Sequence, residues 1–86
     1  MDINIEVIKD NILTYLYETR LGSPQSLTKI KLAVNLGDGR GDVRVLKSCL
    51  ESLIEKELIK KQELRGNYKI EDTGIEQVEK TQNERA

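Results

Sequence analysis

Histidine, tryptophan and phenylalanine are absent from this 86-residue chain, which also holds only one cysteine and one proline. Without histidine, the chain cannot supply an imidazole general base, a Ser-His-Asp triad or the usual nitrogen ligands of zinc. Its acidic residues are scattered over predicted solvent faces, and no pair of them is marked out as a catalytic site by a pocket or a nucleophile. The sequence therefore predicts a protein that is not an enzyme and that holds no metal or cofactor.

Disulfides, membrane spans and leader segments are also missing from the pattern. The lone Cys49 cannot form an internal disulfide, which favours a reducing compartment. No apolar run approaches the roughly 18–20 residues of a membrane span. The first four residues, Met-Asp-Ile-Asn, do not begin a basic segment followed by an apolar one. We therefore expect a cytoplasmic protein that does not enter a membrane.

The composition is that of one small folded domain. Charged residues make up 34% of the chain and hydrophobic residues 37%, which suits a domain that folds in water. A chain of this size has room for a single core. We expect one domain over residues 1–80 and a disordered tail over residues 81–86, where no apolar anchor occurs.

Three helices are predicted in the first two thirds of the chain. An apolar stripe with helical spacing predicts helix 1 over about Ile3–Thr19, with Asp2 or Asn4 as its cap. Gly22-Ser23-Pro24 then predicts a helix end, a cap and the first turn of helix 2. Helix 2 carries an apolar face of Leu27, Ile30, Ala33 and Val34, and it ends at Leu36-Gly37.

Helix 3 has the clearest periodicity. Three glycines among residues 37–41 predict a turn, and Asp42 is a natural cap for the helix that follows. The predicted core stripe consists of Val43, Leu46, Leu50, Leu53 and Ile54, with Cys49 at its edge as a small buried hydrophobe.

A hairpin and a last helix complete the chain. Residues 58–64 alternate with the period of a strand, Arg65-Gly66-Asn67 predicts a tight turn, and Tyr68-Lys69-Ile70 predicts the return strand. A short helix follows, with Ile75 and Val78 facing inward. The fold class is mainly α with a β-hairpin, a winged helix-turn-helix with a three-helix core, a two-stranded wing and a short C-terminal helix.

The segments Leu53-Ile54-Glu55-Lys56-Glu57-Leu58-Ile59, Tyr68-Lys69-Ile70 and Asp72-Thr73-Gly74-Ile75 carry a family resemblance. They resemble recurrent segments of small archaeal- and bacterial-type winged helix-turn-helix transcriptional regulators, at the end of the recognition helix, the second wing strand and the start of the last helix. The resemblance covers about residues 5–80 and implies a transcriptional regulator that binds double-stranded DNA.

Two positions depart from that family pattern. Glu57 stands where the family usually has glycine, so we expect a different exit from helix 3. The turn over residues 37–41 is also longer than a typical tight turn.

Positive charge is concentrated where such a fold would meet DNA. Residues 21–49 hold five bases and two acids, and residues 60–69 hold four bases and one acid. The first helix and the C-terminal part are acidic. This separation suits phosphate binding by the helix-turn-helix and the wing.

Individual roles follow from the helical wheel. Arg44 and Ser48 are predicted to face base edges in the major groove. The predicted phosphate contacts are Thr28, Lys29, Arg40 and Lys47, of which Lys47 borders the core face. The wing would contribute Lys61, Arg65 and Lys69, with Gly66 permitting its sharp turn.

Other interpretations of the same residues stay open. The basic side chains could simply solvate the surface. Glu51 and Glu55 on the exposed face of helix 3 favour a winged-helix module that binds a protein instead of DNA. A homodimer through helix 1 and the C-terminal helix is also possible, with Tyr15, Tyr17 and Val78 as candidate contacts.

Overall fold

The computed structural model describes residues 4–37, 39–64 and 66–85. Its elements, in chain order, are α1 (Ile5–Glu18), α2 (Leu27–Ala33), α3 (Arg40–Glu55), β1 (Ile59–Lys61), β2 (Tyr68–Ile70) and α4 (Asp72–Arg85). The described part is thus mainly helical with one antiparallel hairpin, and this layout is compatible with a winged helix. None of its helices is both long and apolar enough to cross a membrane.

Side-chain caps fix the starts of α1 and α2. The Asn4 side-chain oxygen accepts the N–H groups of Glu6 and Val7, as a cap at that position is expected to do. In α2 the cap is Ser26, whose hydroxyl accepts the Lys29 N–H at 3.2 Å. The expectation that Pro24 lies in the first turn of helix 2 is wrong, because the chain is still extended there and the helix begins at Leu27.

Helix α3 begins three residues earlier than its sequence suggests. The cap residue is Gly39, which has no side chain to offer, and Arg40 and Gly41 are already helical. The prediction of Asp42 as the cap is therefore wrong. Its carboxylate instead accepts the Gly37 N–H at 2.7 Å and ties the preceding turn to the first turn of the helix.

The exits of α2 and α3 share one geometry. Asn35 and Glu57 have φ values of 59° and 61°, in the left-handed region that glycine usually occupies. The next residue, Leu36 or Leu58, donates its N–H to a carbonyl five residues back, which completes a Schellman motif. The expectation of a different exit at Glu57 is wrong, because this residue adopts the glycine conformation itself.

The hairpin is shorter than predicted. Only Ile59–Lys61 pairs with Tyr68–Ile70, in the register Ile59 to Ile70, Lys60 to Lys69 and Lys61 to Tyr68. The chain leaves the first strand at Gln62, whose N–H donates to the Asn67 carbonyl at 2.7 Å and whose carbonyl accepts the Gly66 N–H at 3.0 Å. Gly66 has φ +64°, so the predicted need for glycine is confirmed, whereas Arg65 lies outside the described residues.

A single residue of the α1–α2 connection extends this sheet. Gln25 forms an antiparallel bridge with Tyr68, with N–H to carbonyl distances of 2.9 and 2.8 Å. Its buried side chain accepts the Tyr15 hydroxyl at 2.6 Å and donates to the Ser23 carbonyl at 2.8 Å. The polar groups of Gln25 are thereby satisfied in a nearly dry position, and they join α1 to the hairpin.

The core lies between the first three helices and the inner face of the hairpin. Its most deeply buried side chains are Ile12, Leu16, Ile30, Leu46, Cys49 and Leu50. The predicted stripes are confirmed in part. Ile5 and Ala33 are exposed, and Leu27, Val43 and Ile54 are only half-buried at the edge of the core.

Helix α4 follows the hairpin and packs on the core through Val78, which is buried as predicted. Gly74 sits against the backbone at the α3–β1 junction, where the Glu71 N–H donates to the Leu58 carbonyl at 2.9 Å. The helix continues to Arg85, so it includes most of the segment that the sequence predicts to be a disordered tail.

Candidate nucleic-acid interface

One solvent-facing side of α3 collects the residues that the sequence assigns to DNA. A shallow depression on this helix, the α3 depression, is lined by Arg40, Val43, Arg44, Lys47, Ser48 and Glu51. All except Val43 are exposed. Four predicted contacts therefore lie together, while Thr28 and Lys29 are exposed on α2 and do not line this depression. Lys47 is exposed and lies one turn after the half-buried Val43, which agrees with its predicted position at the border of the core face.

The cations of this surface are available to an outside anion. Across the described ranges, neither Arg40, Arg44, Lys47 nor Lys29 forms an ion pair with another described side chain. Asp42, in the first turn of the same helix, is only half exposed and accepts the Gly37 N–H. Among the residues that the structure describes, the acid that lines this depression with the cations is Glu51.

The hairpin holds its lysines on two different faces. Lys60 and Lys69 are directly opposite each other across the strands, and both are exposed. Lys61 lies on the other face, with its ammonium nitrogen 5.9 Å from the centre of the Tyr68 ring. Lys61 and Lys69 therefore lie on opposite faces of the hairpin, because adjacent register positions alternate between faces.

Sequence reasoning missed Lys60 as a site residue. Two like charges directly opposite in a ladder destabilise it, so such a pair on an exposed face is better tolerated when an anion lies over it. Lys60 would have been found from the sequence only if its pairing with Lys69 had been known. That pairing depends on where the turn begins, and the turn begins at Gln62, earlier than the residues suggest.

Glu51 connects the α3 depression to the hairpin electrostatically. Burial raises the pKa of the Tyr68 hydroxyl above its usual 10.0, and the charge of Glu51 raises it further. The carboxylate of Glu51 is therefore close enough to the inner face of the hairpin for its charge to act on the phenol.

Acidic side chains predominate on α1 and α4, the first and last helices of the chain. Helix α1 holds three acids and one base, and α4 holds four acids and two bases. The base of α1 is already engaged, because Lys9 lies 2.9 Å from the Glu6 carboxylate, and its hydrogen bond and charge lower the pKa of Glu6. The charge separation predicted from the sequence is therefore present between elements of the fold.

The side chains proposed for a dimer contact are engaged within the chain. Val78 is buried in the core, so the expectation that it faces a partner is wrong. Tyr15 donates its hydroxyl to Gln25 and is half-buried. Tyr17, also half-buried, donates its hydroxyl to Glu79 at 3.2 Å and lies under the Arg20 guanidinium, 3.9 Å from the ring centre. A partner contact of the two tyrosines stays a prediction.

Two further sequence expectations concern chemistry at cysteine and metals. Cys49 is 1% exposed, and burial raises the pKa of its thiol, which confirms the small buried hydrophobe. Within residues 4–37, 39–64 and 66–85, no three His, Cys, Asp or Glu residues are grouped as metal ligands would be. No protein-family model, curated protein or solved structure matches this chain.

Proposed function

We propose that this protein is a winged helix-turn-helix protein that binds double-stranded DNA as a small cytoplasmic transcriptional regulator. Helix α3 enters the major groove, where Arg44 and Ser48 meet base edges. Arg40, Lys47, Thr28 and Lys29 hold phosphates. The hairpin acts as the wing and contacts the backbone or the minor groove through its lysines and Arg65.

The observation that carries this proposal is the α3 depression. Three cations and a serine line one exposed helix face together with a single acid, Glu51, and no described side chain forms an ion pair with these cations. Helices α1 and α4 each hold two more acids than bases. A polyanion approaching from the α3 side meets attraction, and one approaching from the α4 side meets repulsion. The near-zero net charge of the chain hides this asymmetry.

Helix α3 has the dimensions that groove entry requires. Its 16 residues extend about 24 Å, and its exposed amino-terminal half carries Arg40, Arg44 and Lys47. The first turn has no side-chain cap, so the positive end of the helix dipole is open to a phosphate, with Asp42 offsetting part of it.

The first test is fluorescence anisotropy of a labelled mixed-sequence duplex, titrated with protein at several salt concentrations. We expect micromolar binding that weakens linearly in the logarithm of salt concentration, with a slope of about 0.9 for each phosphate contact. Flat anisotropy at low salt would refute the proposal.

A matched pair of variants locates the contacts. Lys47→Ala and Lys80→Ala both remove an exposed lysine from a helix, the first in the α3 depression and the second on α4. We expect Lys47→Ala to reduce the salt slope by about 0.9, and the double variant with Arg40→Ala to reduce it by about a further 0.9. Lys80→Ala should leave the salt slope unchanged. Equal effects of Lys47→Ala and Lys80→Ala would mean that binding is not directed by α3.

We also propose that the protein binds its operator as a homodimer, since one domain of this size offers few contacts for tight specific binding. The outer face of α1 still presents Val7, which is 50% exposed, and Ile5. Sedimentation velocity at micromolar concentration, with and without a duplex, tests this. A monomer under both conditions would refute it.

A protein-binding module is the second candidate. Two large apolar side chains project near the basic surface, Leu64 fully exposed in the hairpin loop and Leu32 at 65% exposure on α2. Exposed apolar side chains on such elements suit a protein partner. For this candidate we expect flat anisotropy with DNA at low salt, and capture of a protein partner that Leu32→Ala and Leu64→Ala abolish.

A further inference from the structure

The α3 depression contains one carboxylate among its cations. Arg44, Ser48 and Glu51 are spaced as i, i+4 and i+7, so they form one stripe along the helix. Glu51 is exposed and lines the same depression as the other two. No described side chain forms an ion pair with it.

Glu51 lies within reach of the same groove as Arg44. The seven-residue step between them covers about 10 Å along the helix axis. The major groove is about 12 Å wide. A helix that lies along the groove and brings Arg44 to base edges therefore brings Glu51 close to them as well.

The chemistry of a carboxylate restricts what Glu51 can meet there. An ionised carboxylate only accepts hydrogen bonds, and phosphate oxygens also only accept, so contact with the backbone is repulsive. The donors on base edges in the major groove are the amino groups of cytosine and adenine, and glutamate characteristically accepts from the cytosine amino group.

We propose that Glu51 is a specificity-determining residue, which accepts a hydrogen bond from the N4 amino group of a cytosine and so selects a C·G pair at one position of the target. This inference rests on the proposed DNA binding. It reverses the sequence-based interpretation of Glu51, in which the carboxylate only weakens the case for DNA.

The experiment is selection from a randomised duplex library, with sequencing of the bound fraction, for four versions of the full chain. These are the wild type, Glu51→Gln, Glu51→Ala and the control Glu55→Gln. Glu55 is also an exposed glutamate of α3, one turn later, but it does not line the depression. The three substitutions change exposed side chains only, and circular dichroism verifies that each version is folded.

We expect the wild type and Glu55→Gln to prefer cytosine at one position by roughly tenfold, because a good base contact discriminates by about 1–3 kcal/mol. Glu51→Gln would change that preference to adenine, since glutamine pairs with the N6 and N7 atoms of adenine. Glu51→Ala would show no preference at that position, and both Glu51 variants would bind mixed-sequence DNA more tightly.

Each other outcome overturns a defined part of the argument. The same preferred sequence in the wild type and both Glu51 variants would show that Glu51 reads no base, while DNA binding would stand. Tighter binding of all three variants without a change at any position would reduce Glu51 to a repulsive charge. Failure of the wild type to bind any duplex would refute the proposed function, and this inference with it.

Discussion

Adding one methyl group at Gly74 should destabilise the fold strongly. A Cβ at this position would lie 2.2 Å from the Leu58 carbonyl oxygen and 2.7 Å from a side-chain carbon of Ile70. Relief to an ordinary contact of about 3.4 Å requires α4 and the α3–β1 junction to separate by roughly 1.2 Å. That movement would break the hydrogen bonds from Glu71 to Leu58 and from the Thr73 hydroxyl to the Glu57 carbonyl.

The size of the effect follows from opposing contributions. Overpacking of this kind costs about 1–3 kcal/mol, and a lost hydrogen bond adds about 1 kcal/mol. Alanine is favoured over glycine in a helix by about 1 kcal/mol, which offsets part of this. We expect Gly74→Ala to lower the free energy of unfolding by about 2 kcal/mol and Tm by roughly 10 °C.

Gly41→Ala provides the matched control, because Gly41 is also in the first turn of a helix and its added Cβ would meet nothing within 4 Å. We expect this variant to gain about 0.5–1 kcal/mol from helix propensity and reduced entropy of the unfolded chain. The assay is urea unfolding followed by circular dichroism at 222 nm. Equal stability of the two alanine variants would refute the close contact between α4 and the junction.

The other expected outcomes concern three separate sites. Glu57→Gly should stabilise the fold by about 0.5–1 kcal/mol in urea unfolding, because the left-handed φ of 61° suits glycine; a loss of stability would contradict the Schellman exit. Tyr15→Phe should lower stability by about 1–2 kcal/mol, because it leaves the buried Gln25 oxygen without its donor, and an unchanged midpoint would argue against that bond. Burial raises the pKa of the Cys49 thiol, so this thiol ionises at lower pH in the unfolded chain, and the free energy of unfolding falls as the pH rises above about 9. Cys49→Ala should reduce this decline in urea unfolding measured from pH 7 to 10. The same decline in the variant and the wild type would assign it to other groups.

Local patterns predict most of the elements because those elements are held by local interactions. The Asn4 cap and the stripe of α1 are read from neighbouring residues, and both are confirmed. The start of α3 is missed because it uses a glycine cap, and the candidate cap Asp42 turns its carboxylate back to Gly37. Glu57 is missed for the opposite reason, since local preference disfavours its conformation and packing imposes it.

Contacts between distant parts of the chain leave no periodic trace. The Gln25–Tyr68 bridge joins single residues far apart in sequence, and one residue cannot show a strand period. In the candidate site, the exposed face of α3 follows from the helical wheel, and Arg44 and Ser48 are exposed as predicted. The faces of Lys60 and Lys61 could not be predicted, because the position of the turn at Gln62 decides the register.

The Gln25–Tyr68 bridge makes the connection between α1 and α2 dependent on a segment that is synthesised after it. When the first three helices have left the ribosome, the backbone N–H and carbonyl groups of Gln25 still lack Tyr68, their partner in the complete chain. Closing that pair spans a loop of about 40 residues, whose entropy must be recovered from the core that forms at the same time. Helices α2 and α3 and the hairpin are therefore one cooperative folding unit, and neither the helices nor the hairpin can be moved alone into another protein.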